Sequence, residues 1–220
     1  MFKQNQITTV AIIFAAVVIL HLFGILFNDN LAYYSKLMII PSLLIYYLVA
    51  ANKVNFWFVF ALFFSFLGDA FLLNKKQFFV FGLASFLITH LIYIKLLISF
   101  INKVSIKKVL AISLPFLVFL VGFITFFYDY LNEMKLPVFI YASIISVFGA
   151  VAFLNYAQKK SSINLWLFLG AMLFILSDSI IALNTFYEAK EMYRFCIMTT
   201  YIVAQFLISK AMIMKSFYQE

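Results

Sequence analysis

Eight apolar runs follow one another down this chain, each about as long as a bilayer core is thick, with only short polar breaks between them. A helix rises about 1.5 Å per residue, so roughly 20 apolar residues cross a hydrocarbon core. The runs cover residues 7–27, 33–51, 55–73, 79–101, 108–128, 136–156, 163–185 and 192–215. The second is the least regular, since it carries Lys36 and Pro41. The breaks read "NDN", "NKVN", "NKKQ", "NKVSIKK", "DYLNEMK", "QKKSS" and "EAKEMYR", and none is long enough to hold a folded domain. Any chemistry therefore has to take place among the helices. Composition agrees, with 66% of the 220 residues hydrophobic and 11% charged, where a soluble domain carries roughly 25% charge. The expected fold is an all-α integral membrane protein, one membrane-embedded domain over residues 1–220 with eight transmembrane helices.

The net charge of +8 would suggest nucleic acid in a soluble chain. Here the basic residues lie mainly in the short connections, where they orient the spans, and no nucleic-acid partner is expected. Lys3, Lys53, Lys103, Lys107, Lys108, Lys159, Lys160 and Lys215 share the side of both termini. The other side carries Lys75, Lys76, Lys135, Lys190 and Arg194, together with Asp29, Asp129, Glu133, Glu188 and Glu191. The excess places both termini in the cytoplasm of a bacterial cell, with the chain in its cytoplasmic (inner) membrane. The first run is too long for a signal-peptide core and reads as a retained span. Cys196 stands alone, so no disulfide framework exists, and no CxxC or HExxH pattern calls for a metal. Neither metal nor cofactor is expected.

Of the eight acidic residues, only Asp69 and Asp178 lie well inside spans. An Asp at a helix centre costs about 2.5–3.5 kcal/mol on insertion scales, which marks each as a functional candidate. The bland alternative is a carboxylate paired with a Lys or capping a helix end. The local texts "FLGDAFLLN" and "ILSDSIIALN" look alike and sit four spans apart, so both spans run in one direction. Each Asp follows an asparagine, Asn55 or Asn164, by 14 residues, which puts both at a depth of roughly 21 Å. A repeat of two four-helix halves is one reading of this pattern. Two carboxyls at one depth can share a proton, one acting as general acid and the other as base or cation stabiliser. That pair suits acid-catalysed cleavage through an oxocarbenium-like transition state.

Other polar residues could complete such a site. Ser65 lies one turn before Asp69 on the same face, and Ser177 adjoins Asp178, with Asn184 closing the second motif. His90 and Tyr93 share a face, as do Tyr201 and Gln205; Tyr141 lies one turn into the sixth span, and His21 falls near the end of the first. Each alone reads as easily as an interface tyrosine or a packed histidine. Lys36 reads either as an interfacial lysine with its head in water or as a clamp for a lipid phosphate.

Taken together, "FSFLGDAFLL", "FGLASFLITHLIY", "GAMLFILSDSIIALNTF" and "YIVAQFLI", with Lys36 ahead of them and Tyr141 between, resemble the YhhN family of lysoplasmalogenases from about residue 30 to 210. Family members often show Lys-Pro adjacent in the second span, whereas Lys36 here precedes Pro41 by five residues. The resemblance implies a multispan ether-bond hydrolase with its active site inside the bundle. Its substrate would be a single-chain lipid, a lysoplasmalogen, drawn from the surrounding membrane lipids. The products would be a fatty aldehyde and a glycerophospho-ethanolamine or -choline. On this reading Asp69 and Asp178 are the acid/base pair. Lys36, Ser65, His90, Tyr93, Tyr141, Ser177, Asn184, Tyr201 and Gln205 bind the substrate and position water.

Three rival readings stay open on the residues alone. A small proton-coupled transporter would also keep acids in its spans, although Gly and Pro number only 6 and 3. An intramembrane aspartyl protease would use two Asp, but "LGD" matches only part of its motif. A metal-dependent lipid amidase would use His21, His90 and the Asp pair.

Overall fold

One residue, Asn28, separates the first two helices, and its side chain accepts a hydrogen bond from the Leu31 amide at 3.1 Å. A Cβ on Gly24 would stand 2.5 Å from the Ala32 nitrogen, so only glycine lets the two helices meet so closely. The same capping chemistry opens α3 at Asn55 and α7 at Ser161, whose side chains accept from Phe58 and Asn164.

The computed structural model describes residues 2–218, apart from the side chains of Phe2 and Lys76. Its helices are α1 (Phe2–Phe27), α2 (Asp29–Ala50), α3 (Phe56–Phe71), α4 (Lys75–Ile98), α5 (Ile106–Phe127), α6 (Lys135–Gln158), α7 (Ser162–Ala182) and α8 (Glu191–Lys215). No strand occurs among the described residues. Eight helices, α3 extended through Asn74 and α7 through Tyr187, are long and apolar enough to cross a membrane. The exterior is correspondingly greasy: Ile19, Phe27, Phe56, Leu110, Val118 and Leu136 all stand exposed.

Two boundaries differ from the hydropathy pattern in ways that matter for the site. The Asn28 cap starts α2 at Asp29, so Lys36 lies two turns inside the helix and not at its edge. The Ser161 cap starts α7 at Ser162, so Asn164 is not its first residue. Asn164 instead donates from Nδ2 to the carbonyls of Asn155 and Lys159, tying α6 to α7. Asp178 therefore lies deeper into its helix than Asp69 does, and equal spacing from an asparagine did not mean equal spacing from a helix start.

Neighbours in sequence pair except α4 with α5, most extensively α7 with α8, α1 with α2, and α3 with α4. Across the bundle α4 packs on α6, and α8 packs on α1 and α2. Helix α5 is peripheral and leans on α6. The centre is filled by large buried side chains, among them Phe58, Tyr93, Phe148 and Phe174. α7 ends in a π-helical turn, Leu183–Tyr187, a local widening often found beside functional sites.

Candidate active site

At the end of the bundle opposite the termini, a cavity of about 650 Å³ opens between α1, α2, α3, α7 and α8. Asp69 and Asp178 both line it. Each is nearly inaccessible, Asp69 at 3% and Asp178 at 9% exposure. A carboxylate so buried needs partners, because an isolated charge in a low-dielectric interior is very costly.

Asp69 has two partners. The Tyr201 hydroxyl on α8 donates to Oδ2 at 2.8 Å, and the Lys36 ammonium on α2 lies 3.6 Å from Oδ1. The preceding Gly68 makes room for Phe86 of α4: a Cβ there would come within 2.6 Å of the ring. Phe86 thus packs edge-on against Tyr201, with ring centres 5.8 Å apart, beside the carboxylate.

Asp178 is held differently. The Tyr141 hydroxyl on α6 donates to Oδ2 at 2.7 Å, and His90 Nε2 on α4 lies 3.8 Å from the same oxygen. The His90 ring is fully buried among Tyr141, Phe148 and Phe174, and neither ring nitrogen has a hydrogen-bond partner. The two aspartates are served from matching places. One partner comes from the helix just before (α2 or α6), the other from the last helix of the opposite four (α8 or α4). The chemistry is not matched: one carboxylate faces an ammonium and a phenol, the other a phenol and an imidazole.

The remaining expected residues divide by layer. Lys36, Ser177, Asn184 and Tyr201 line the cavity. Ser177 spends its hydroxyl on the Ile197 carbonyl at 3.0 Å, and Asn184 Oδ1 accepts from the Lys190 amide at 3.1 Å. Ser65, Tyr93 and Gln205 do not line it. They form a sealed chain one turn deeper: Tyr93 donates to Gln205 at 2.8 Å, Gln205 to Ser65 at 2.9 Å, and Ser65 to Thr89 at 3.3 Å. Tyr141 and His90 reach the cavity only through Asp178.

Sequence reasoning passed over the mouth. Arg194, the chain's single arginine, donates to Asp29 at 2.8 Å, joining the starts of α8 and α2 across the opening. Lys75, at the start of α4, lines the same rim. Burial, reinforced by the nearby charges of Lys36 and Arg194, brings the Lys75 ammonium down to about 8. Lys36, Lys75 and Arg194 thus line one cavity together with Asp29. A lone arginine in a polar break, flanked by acids, was the available signal. Among the described residues no three His, Cys, Asp or Glu side chains come together to hold a metal ion.

A bundle of eight helices long and apolar enough to cross a membrane, enclosing two buried, differently partnered carboxylates beneath a basic rim, defines an all-helical protein whose polar cavity lies inside the bundle. The chain belongs to the YhhN family, whose family model matches residues 31–212. No curated protein and no solved structure matches it.

Proposed function

We propose that the protein is a membrane-embedded hydrolase that cleaves the vinyl-ether bond of lysoplasmalogens, releasing a fatty aldehyde and a glycerophospho-ethanolamine or -choline. Membership of the YhhN family fits this activity. The observation that carries the reading is the pair of buried carboxylates on one cavity, only one of which faces an ammonium.

A vinyl ether is opened by protonating its β-carbon. Asp178, without a lysine beside it, carries that proton and delivers it to the alkene. The adjacent carbon becomes an oxocarbenium ion. Asp69, kept ionised opposite Lys36, stabilises the cation and then takes a proton from the water that adds to it. The hemiacetal then collapses: protonated Asp69 gives its proton to the glycerol oxygen as that C–O bond breaks, and the hydroxyl proton passes to Asp178, giving aldehyde and alcohol and restoring both carboxyls. Tyr201 and Tyr141 orient the two carboxylates. Lys36, Lys75 and Arg194 hold the headgroup phosphate, and Asp29 receives the headgroup amine. The bundle sits in the bacterial inner membrane with both termini cytoplasmic and the cavity opening on the opposite face. Its two four-helix halves derive from a repeat, with α4 on α6 matching α8 on α2.

Mass spectrometry of products from defined lysoplasmalogens and saturated ether controls tests the reading. Wild type should release aldehyde only from the vinyl ethers. Asp69→Asn and Asp178→Asn should each lose about 10²-fold or more of turnover, a usual scale for general acid–base groups. A folded variant of either kind with wild-type turnover would overturn the assignment.

A further inference from the structure

A second hollow adjoins the first. It lies between α4, α5, α6 and the end of α7, and its walls are Phe79 and Leu83, Phe123, Val138 and Ile145, and Phe186. It is narrow, about 40 Å³ as it stands, and apolar, and the polar side chains lining it are Tyr141 and Asp178, which bond to each other at 2.7 Å. Leu72, Phe86, Asp178 and Ile181 line both hollows, so a single layer of side chains divides them.

The placement of α5 explains why the cleft exists. That helix leans on α6 and packs little on α4, leaving a seam that faces outward between them. Gly122 faces outward on α5, whereas Phe123 and Phe127 turn inward and pack beside Val138 and Ala182. Phe79 and Phe186, with ring centres 5.7 Å apart and edge to face, join α4 to the turn after α7 and wall the cleft on that side.

We infer that this cleft widens, by α5 parting from α4, to seat the hydrocarbon tail of a single-chain ether lipid that enters sideways from the membrane. The inference rests on the vinyl-ether reading only for the identity of the bond cleaved. A lysolipid has a charged head, a glycerol, one reactive bond and then a tail. The molecule offers the same order: a basic rim, a polar cavity, Asp178 facing both hollows, and an apolar cleft. Seated so, the first carbons of the tail lie against Asp178. The aromatic walls, Phe79, Phe123 and Phe186, then set which chain lengths fit. Each methylene seated or excluded in an apolar pocket is worth about tenfold or more in discrimination.

Occupancy can be read without turnover. Wild-type protein in nanodiscs would be irradiated with a saturated ether lysophosphocholine bearing a mid-chain diazirine, and the labelled residues mapped by mass spectrometry. Labels on Phe79, Leu83, Phe123 or Phe186 that vanish with excess unlabelled lysolipid are expected. Labels confined to outward-facing positions such as Phe63 and Val118, or a pattern unmoved by competitor, would overturn the inference. A parallel assay compares kcat/KM for short- and long-chain lysoplasmalogens in wild type and Phe123→Ala. The variant should shift preference towards longer chains by about tenfold, and an equal change at every length would count against the tail seat. Competed labelling in the cleft without vinyl-ether hydrolysis keeps the tail seat and removes the hydrolase reading. Hydrolysis with no label in the cleft does the reverse.

Discussion

The Lys36 ammonium stands 3.6 Å from a carboxylate oxygen of Asp69, while the corresponding place beside Asp178 is taken by the phenol of Tyr141. Both carboxylates are buried on one cavity, and in the proposed mechanism this difference in partner divides their roles. A buried ion pair holds its carboxylate charged, and removing one member leaves the other uncompensated.

Lys36→Met should therefore do two things at once. It should destabilise the folded protein by about 3–5 kcal/mol, the usual cost of breaking a buried pair, seen as a lower Tm in detergent. Asp69→Asn placed on top of it should restore much of the Tm, because the orphaned charge is gone, but should leave turnover low. If the double variant is no more stable than Lys36→Met alone, the two residues do not form a pair that matters to folding.

The two tyrosines separate by which carboxylate they serve. Tyr141→Phe and Tyr201→Phe each remove one hydrogen bond to a buried carboxyl, a contact worth about 1.5–3 kcal/mol when the acceptor is charged. Turnover should fall by roughly 10- to 100-fold in each. The Tyr201 variant should respond more strongly, since its acceptor faces the lysine. Steady-state kinetics of both variants on one lysoplasmalogen checks the order; a smaller loss at Tyr201 reverses the assignment of acid and base.

Lys75 supplies the pH dependence. Burial and the charges of Lys36 and Arg194 bring it down to about 8, so it is protonated below that pH and neutral above. A phosphate at the rim is attracted only by the protonated form. KM should stay level below about pH 8 and rise above it, with kcat little affected by this group. In Lys75→Met the KM should sit at the wild type's high-pH level at every pH, so that it exceeds wild type only below about pH 8 and the step is absent. Superimposable KM–pH curves for the two proteins would remove Lys75 from headgroup binding.

Gln205 tests the layer beneath the cavity. It bridges Tyr93 and Ser65 and lines neither hollow. Gln205→Leu should cost about 1–3 kcal/mol of stability by leaving buried hydroxyls unpaired, measured by thermal unfolding. KM should hold, because no contact with substrate is lost. A raised KM at unchanged Tm would return Gln205 to the group that touches substrate.

Eight helices were legible from hydropathy because the signal is local: twenty apolar residues have one economical conformation in lipid, whatever their neighbours do. The two aspartates stood out for the same reason, as charges inside runs that otherwise exclude them. Capping hydrogen bonds, made by Asn28 and Ser161, moved the true helix starts beyond what apolar content alone indicates. The pairing of side chains was not legible at all. Tyr201 meets Asp69 across 132 positions of chain, and Tyr93 meets Gln205 across 112. Spacing along a helix reports which residues share a face, and says nothing about which helix that face meets. So Tyr93 and Gln205, grouped with the cavity by their neighbours His90 and Tyr201, lie in the sealed layer below it. Arg194, Lys75 and Asp29 read as ordinary connection charges until three helix ends converge and bring them to one rim. Which carboxylate faces a cation is likewise a property of the packed bundle, because it depends on how α2 and α6 are each turned towards the helix that follows.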